Sequence, residues 1–140
     1  MGRRRAVMLL IVTDDGDLLL HHRDDKPWIA HPGTWAGFAG SIEDGETVEE
    51  ALAREVSEET GLAVDGPVFL TEAIDEEGDG ALVTVFYTVG GIGAGDIDLH
   101  EGAGIGVYAV EDLAGLDIPP FVRRVIEDRL LPALQVSPGR

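Results

Sequence analysis

Residues 47–61 restrict the fold of this chain more than any other segment does. Thirteen residues without glycine or proline lie between Thr47 and Gly61. Thr47 and Glu50 have the spacing of a capping box, in which each side chain bonds to the other residue's backbone. Gly61 suits the left-handed turn that ends many helices. The segment therefore predicts an α-helix whose two ends are fixed by local signals.

Acidic side chains of this predicted helix lie on its apolar side. With a step of about 100° per residue, the apolar residues form one stripe that must face the core. The stripe consists of Val48, Leu52 and Val56, with Ala51 beside it. Glu59 projects into the stripe, Glu55 lies at its edge, and Glu58 lies next to it. Glutamates that served only solubility would lie on the opposite side.

These three glutamates need a positive partner. Side chains three and four residues apart touch, so the like charges repel by about a few tenths of a kcal/mol per pair. The helix dipole also disfavours anions near the C-terminus. Arg54 reaches Glu58 at four-residue spacing, but one guanidinium cannot neutralise the whole cluster. A divalent cation such as Mg²⁺ can, because it prefers oxygen ligands. The plainer alternative is a solvated acidic helix end.

The remainder of the chain predicts a sheet with helices against it. Aliphatic residues at 6–12 and 18–22 flank a glycine-containing acidic turn and predict a hairpin. A polar loop at 23–34 follows, and loops of this length in compact domains often carry function. Further strands are expected at 68–71, 81–89 and 105–110, and Pro119 and Pro120 introduce a last helix to about residue 131. This order favours an α/β or α+β layered fold with a mixed sheet.

Charge and composition weigh against several functions. The net charge of -17 repels phosphate backbones, so nucleic acid is a poor candidate for the main partner. The chain has no cysteine, which excludes thiolate metal sites and disulfides and fits a cytoplasmic protein. The apolar run at 6–12 lacks a cleavage pattern, so we expect no export signal. No apolar run approaches the roughly 20 residues that cross a bilayer, so we expect no membrane partner.

The wider segment around the helix matches a known motif. Residues 40–62 read GSIEDGETVEEALAREVSEETGL, which is a glycine, five residues, Glu46, seven residues and then REVSEETGL. This spacing matches the complete Nudix box, so the chain resembles the Nudix hydrolase family. The resemblance implies a single domain over residues 1–140, folded as a Nudix-like α/β/α sandwich with a mixed β-sheet between helices.

The resemblance also assigns residues to a metal site. In the family, the carboxylates that match Glu55, Glu58 and Glu59 bind Mg²⁺ or Mn²⁺, often with the backbone carbonyl of the residue before the box glycine. That residue is Ala39 here, where many members have glycine. The residues that shape the motif are Gly40, Glu46, Arg54 and Gly61. Of these, Glu46 and Arg54 are expected to brace the loop against the helix.

The reaction implied by the resemblance is the Mg²⁺-dependent hydrolysis of a pyrophosphate bond in a nucleoside diphosphate linked to another moiety. Nucleoside triphosphates, including oxidised ones, ADP-ribose and nucleotide sugars all fit this description. The catalytic candidates are Glu55, Glu58 and Glu101. Glu101 precedes a predicted strand, where several family members place an additional glutamate, but an ordinary surface glutamate is an equal alternative.

Four further residues are candidates for substrate contact. Arg23 begins the long loop, where similar proteins place an arginine on a substrate phosphate, and Lys26 follows in the same loop. Trp28 and Phe38 offer rings on which a base could stack. Phe38, like Trp35, is also typical of a core residue. A solvated loop charge is the alternative for Arg23 and Lys26.

Two other functions are compatible with a Nudix-like chain. One is a nucleotide-binding sensor that does not cleave its ligand, although such domains are usually fused to an effector and many have lost box carboxylates. The other is an isoprenoid diphosphate isomerase, which would need acid and base residues that this chain does not supply. The sequence favours the hydrolase, while homodimerisation and the number of metal ions are left open.

Overall fold

The computed structural model describes residues 3–135 and contains a seven-stranded sheet with helices. The strands are β1 (Arg5–Val12), β2 (Leu18–His22), β3 (Trp35–Ala36), β4 (Phe38–Ser41), β5 (Val68–Ile74), β6 (Leu82–Val89) and β7 (Gly104–Tyr108). The α-helices are α1 (Val48–Thr60), α2 (Pro120–Val125) and α3 (Leu131–Gln135), and a π-helical turn at Ile126–Leu130 joins the last two. Short 3₁₀ helices span Ala94–Asp96 and Val110–Gly115.

The sheet is mixed, as the sequence predicts. Its main path runs β3-β2-β1-β6-β5, with β4 paired to β1 and β7 paired to β2. β1 is parallel to β6 and antiparallel to both β2 and β4. The predicted hairpin is confirmed, because Ile11 pairs with Leu19 and Val12 with Leu18.

β1 lies at the centre of two hydrophobic layers. Alternate residues of a strand point to opposite faces, and every residue of β1 after Arg5 is buried. Val7, Leu9 and Ile11 pack in one cluster with the apolar side of α1. The intervening residues pack on the other face with Phe121 and its neighbours from the second helical segment. The α/β/α sandwich is therefore confirmed, and its cause is an apolar strand that is covered on both faces.

Helix α1 begins and ends where the sequence predicts. The Thr47 hydroxyl accepts from the Glu50 N–H at 3.1 Å, and the Glu50 carboxylate accepts from the Thr47 N–H at 2.9 Å. Gly61 has φ of 74°, a left-handed conformation, and its N–H bonds to the Ser57 carbonyl. The buried positions follow the apolar stripe and continue into Glu59.

Three boundaries differ from the sequence prediction. β7 ends at Tyr108 instead of residue 110, because a 3₁₀ helix begins at Val110. β5 continues to Ile74 rather than ending near residue 71, because its pairing with β6 runs on to the partners Ile74 and Leu82. The final helical segment extends to Gln135 instead of about residue 131. Pro132 does not end it, since it falls in the first turn of α3, where a missing N–H is tolerated. The single-domain prediction covers residues outside the described range at both ends and stays a prediction.

Within residues 3–135, the helices are too short or too polar to cross a bilayer.

Candidate active site

The candidate site lies where the end of α1 meets β4. α1 packs across this short strand, and the box glycine Gly40 faces the carboxyl group of Glu55. A Cβ atom at Gly40 would overlap that carboxyl group. Glycine is therefore required at this position because a carboxylate occupies the space of a side chain.

Arg54 joins the loop before α1 to the body of the helix. Its Nε donates to one Glu46 oxygen at 2.7 Å and its Nη2 to the other at 2.9 Å. Nη2 also donates to the Ser41 carbonyl at 3.0 Å. These bonds lower the pKa of Glu46 to about 2 and raise the pKa of Arg54 above its usual value. Arg54 and Glu46 form a bidentate ion pair that holds the loop before α1 against the helix.

Arg54 also contacts two of the three predicted metal ligands. Its Nη1 donates to Glu55 at 2.8 Å and to Glu58 at 3.3 Å. The side chain of Glu55 is 15% exposed, whereas that of Glu58 is 59% exposed. The three glutamates therefore experience different environments, although they lie on adjacent turns of one helix.

Glu59 is the glutamate of the three that forms no ion pair in the described part of the chain. It is 3% exposed, and its Oε1 is the one buried side-chain polar atom in residues 3–135 that has no hydrogen-bond partner. Burial, followed by the charges of Glu101 and Glu55, raises the pKa of Glu59 to about 9. A hydrogen bond that Glu59 accepts from the Ala39 backbone has the opposite, smaller effect on this pKa. A buried acceptor without a donor is unfavourable, and a cation at this point would relieve it.

The oxygen atoms at this site suit a hard divalent cation. In the described part of the chain, no three His, Asp or Glu side chains converge into a closed metal-binding cluster. Mg²⁺ does not require one, because it commonly binds through one or two carboxylates and fills its shell with water and phosphate oxygens. The unpartnered oxygen of Glu59, beside Glu55 and the Ala39 backbone, fits such an ion.

Glu101 lies opposite the end of α1. Its side chain is exposed and lines a cavity of about 180 Å³ that also reaches Ala39 and Gly40. Arg23 lines the same cavity. Burial lowers the pKa of Arg23, while the nearby charges of Glu59 and Glu101 act in the opposite direction. The fold therefore brings one arginine and two glutamates from distant parts of the sequence to one cleft.

The long loop at 23–34 places the other substrate candidates at the mouth of this cleft. Arg23 donates through Nε to the Ala30 carbonyl at 2.9 Å, and its backbone N–H donates to the Thr34 carbonyl at 2.8 Å, which joins the two ends of the loop. Lys26 is exposed and lies 3.5 Å from Asp24. Trp28 is 78% exposed and lines an outer pocket with Lys26 and Arg23. The ring of Trp28 is thus accessible to a ligand.

The prediction that Phe38 contacts substrate is wrong. Phe38 is 1% exposed and belongs to the hydrophobic cluster beneath α1. Its ring stacks on the imidazole of His21 with centroids 4.9 Å apart. No face of the ring is free for a base, because β4 directs this side chain into the core.

Three histidines at or near the cleft have no signal in the sequence. His100 donates from Nδ1 to the Glu58 carbonyl at 2.9 Å, and its Nε2 lies 3.0 Å from Asp98. Its hydrogen bonds, chiefly to Asp98, raise the pKa of His100. His31 bonds to the buried Asp75 at 2.7 Å on the cavity wall. His21 contacts the loop of Glu101.

Comparison with known proteins agrees with this geometry. The sequence model of the NUDIX domain matches residues 2–128. The chain belongs to the Nudix hydrolase family. The match covers the box, both hydrophobic layers and the loop that carries Glu101.

Curated Nudix relatives differ in what they hydrolyse. The NAD-capped RNA hydrolase NudC of Citrobacter koseri is 38% identical over 97 residues, which are 69% of this chain and 37% of that protein. The oxidized purine nucleoside triphosphate hydrolase of Mus musculus is 52% identical over 33 residues, which are 24% of this chain and 21% of that protein. The matched regions thus span well under two thirds of both relatives.

Solved Nudix structures share the whole fold. A MutT NUDIX hydrolase from Burkholderia pseudomallei matches with a TM-score of 0.75 and 26% identity, covering 91% of this chain and 98% of that one. The NUDIX domain of Shewanella oneidensis NrtR, solved with ADP ribose, matches with a TM-score of 0.77 and 17% identity, covering 96% and 90%. The second likeness concerns the fold alone.

Proposed function

We propose that the chain is a Nudix pyrophosphohydrolase that uses Mg²⁺, or Mn²⁺ in its place. It cleaves a pyrophosphate bond in a nucleoside diphosphate linked to another moiety. The observation that carries this proposal is the buried Glu59 carboxylate, whose unpartnered oxygen lies beside Glu55 on the box helix. A fold that served only stability would gain nothing from such a group.

The residues proposed to hold the cation are Glu55, Glu58 and Glu59, with the backbone carbonyl of Ala39. When bound, the metal would neutralise charge on the substrate phosphates and lower the pKa of the attacking water. The chain's own part is to supply oxygen atoms at fixed positions. Arg54 contributes by holding Glu55 and Glu58, while Glu46 holds Arg54.

Proton transfer from the water is proposed to involve Glu55 or Glu101. The water oxygen forms a bond to phosphorus, the bridging phosphorus–oxygen bond breaks, and the glutamate takes the proton that the water loses. Glu55 is held by Arg54 and half-buried, whereas Glu101 is exposed to the cavity. A general base must be ionised before it can accept a proton, so we expect turnover to favour mildly alkaline pH.

Substrate binding is proposed to use Arg23 and Lys26 for the phosphates and Trp28 for a base. Arg23 lines the same cavity as Glu101, and the hydrogen bond to the Ala30 carbonyl uses its Nε. A guanidinium can bind two phosphate oxygens at once. The accessible ring of Trp28 can stack on any base, which fits several nucleotide classes.

An activity screen with and without metal tests the proposal. The panel consists of an oxidised purine nucleoside triphosphate, its unoxidised parent, ADP-ribose, a nucleotide sugar and NAD-capped RNA. We expect hydrolysis of at least one compound with Mg²⁺ and loss of hydrolysis in excess chelator. Full turnover in chelator contradicts the metal site, and tight binding without turnover assigns the chain to the nucleotide sensors instead.

A further inference from the structure

The loop at residues 98–103 carries Glu101 and is held from two sides. The backbone N–H groups of Asp98 and His100 donate to the last carbonyls of α1, at 3.0 Å and 2.9 Å. On the other side, the N–H of Ala103 donates to the carbonyl of His22 in β2 at 2.8 Å. Glu101 therefore occupies the middle of a short loop between the end of α1 and β2.

One buried side chain of β2 reaches the middle of this loop. The Nε2 atom of His21 lies 2.7 Å from the backbone carbonyl oxygen of Glu101. A carbonyl oxygen only accepts, so Nε2 carries the hydrogen and donates it. The imidazole is buried and stacks on Phe38, so the surrounding core fixes the direction of this hydrogen bond.

Gly102 shows how closely the loop follows the ring of His21. Gly102 has φ of 94°, and a Cβ atom there would overlap the His21 imidazole. Any other residue would need a strained backbone and would also displace either the ring or the loop. The ring of His21 and the glycine at position 102 therefore fit each other closely. Together they fix the backbone path of the loop that carries Glu101.

We propose that His21 is a positioning residue for hydrolysis, which fixes the backbone of Glu101 at the cavity next to the end of α1 through its hydrogen bond to the Glu101 carbonyl. The inference rests on the proposed function, because it requires that Glu101 acts on the substrate or on the metal. Glu101 lines the cavity that also reaches Ala39 and Gly40, and the N–H of the adjacent His100 donates to the Glu59 carbonyl, so the loop holds Glu101 next to the end of α1. A displacement of about 1 Å at such a site can reduce the rate as much as a hundredfold.

Three variants of the two adjacent histidines test this role. His21→Leu removes the donor, whereas His21→Gln keeps an N–H group at nearly the same reach. His22→Gln is the control, because His22 faces the other side of β2 and stacks on Trp35, and glutamine keeps an N–H group that can donate to the Gly33 carbonyl as His22 does. On the panel compound that the parent hydrolyses fastest, we expect His21→Leu to lower kcat by roughly ten- to a hundredfold. His21→Gln should recover most of the loss, and His22→Gln should stay within about twofold of the parent.

A double-mutant cycle with Glu101→Gln separates positioning from general stability. If His21 acts through Glu101, the variant that combines His21→Leu and Glu101→Gln should have the kcat of Glu101→Gln alone. Losses that multiply overturn the proposal, as does a His21→Leu variant that melts lower but keeps the parent's kcat. Should His21→Leu not fold, His21→Asn replaces it, because its amide is one methylene shorter than that of glutamine.

Hydrogen exchange gives a readout that does not depend on turnover. We expect the amides of Gly102 and Ala103 to exchange faster in His21→Leu than in the parent, with the amides of β1 unchanged. Unchanged exchange in this loop overturns the positioning role even if the parent is active. A parent that hydrolyses no panel compound overturns the proposed function instead, so the two failures are distinguishable.

Discussion

The two ends of helix α1 are stabilised in opposite ways. At its start, the capping box of Thr47 and Glu50 satisfies the free backbone groups, and acidic residues in the first turn favour the helix dipole. At its end, the last turn contains no basic residue and carries Glu58 and Glu59 instead. The start therefore needs nothing from outside the segment, whereas the end depends on partners elsewhere in the fold or on a ligand.

The size of the two effects explains why the end is the functional region. A capping interaction contributes about 1 kcal/mol, whereas a buried acceptor oxygen without a donor costs about 1–3 kcal/mol. His100 and Arg54 contact Glu58, but neither reaches the unpartnered oxygen of Glu59. The beginning of α1 therefore stabilises the fold, whereas its end contains an unfavourable interaction that a bound cation would relieve.

The largest expected effect comes from Glu59→Gln, which removes the ionisable group that would bind the cation and keeps the side-chain volume. With Mg²⁺, we expect turnover to fall by at least about a hundredfold, or nearly 3 kcal/mol of transition-state stabilisation. In chelator, the variant should be as stable as the parent or slightly more so. Mg²⁺ should then raise the melting temperature of the parent much more than that of the variant.

Glu49→Gln is the matched control for this experiment, because Glu49 is an exposed glutamate in the first turn of the same helix. It should keep the parent's Mg²⁺ response. If Glu59→Gln melts lower in chelator and keeps the full response to Mg²⁺, Glu59 is structural and the end of α1 is not the metal site.

The next effect is a pH dependence of stability in the absence of metal. Folded Glu59 keeps its proton up to its raised pKa of about 9, whereas the unfolded chain loses it near 4.5. Between these values the folded state binds more protons, so the free energy of unfolding should decrease as the pH rises. We expect a loss on the order of a few kcal/mol across this window in the parent, measured by denaturant unfolding in chelator.

Glu59→Gln should lack this decline, and saturating Mg²⁺ should reduce it in the parent. Identical pH curves for the parent and the variant would show that Glu59 titrates as an ordinary surface carboxylate. In that case the contrast between the two ends of α1 would lose its energetic basis.

A smaller effect is expected from the cation that faces the acidic end. Arg23→Ala removes the proposed phosphate contact, so kcat/KM should fall by roughly tenfold. The same change also removes the bond to the Ala30 carbonyl, so a modest loss of stability should accompany it. Steady-state kinetics of Arg23→Ala and Arg23→Lys separate the loss of charge from the loss of geometry, since lysine keeps the charge but cannot make a bidentate contact. Parent-like kinetics in both variants would leave Arg23 as a loop anchor only.

The smallest effect concerns the start of the helix. Thr47→Ala removes the capping hydroxyl, and the free energy of unfolding should fall by about 1 kcal/mol. Because the cap lies at the far end of α1 from Glu59, kcat and the melting response to Mg²⁺ should match those of the parent. A large loss of activity at unchanged stability would mean that the two ends of α1 are coupled and that our comparison divides the helix wrongly.

Much of the fold follows from local patterns. The capping box and Gly61 place α1 to the residue, since their hydrogen bonds are made within the segment itself. The apolar run of β1 predicts a buried strand because a strand that is apolar throughout must be covered on both faces. The ends of β5 and of the final helical segment could not be predicted from local patterns. Pairing with β6 decides how far β5 continues, and packing against the sheet decides how far the helical segment continues.

Phe38 shows the limit of such patterns in the site. An aromatic residue next to the box glycine is compatible with stacking on a base or with packing in the core. Only the pairing of β4 with β1 directs its ring beneath α1, against His21. Trp28 is no less aromatic, but its loop leaves it exposed.

The sequence by itself determined the family, the sandwich and the helix that carries three acidic residues on or beside its apolar stripe. The spacing of residues along one segment contains that information, because turns and helices are built from neighbours. The tertiary structure decided which glutamate is buried with an unpartnered oxygen and which histidines contact the end of α1 and the loop of Glu101. His100 meets the Glu58 carbonyl across 42 residues, and His21 meets the Glu101 carbonyl across 80. Burial and contacts at such separations arise only when the layers pack, so no local pattern encodes them.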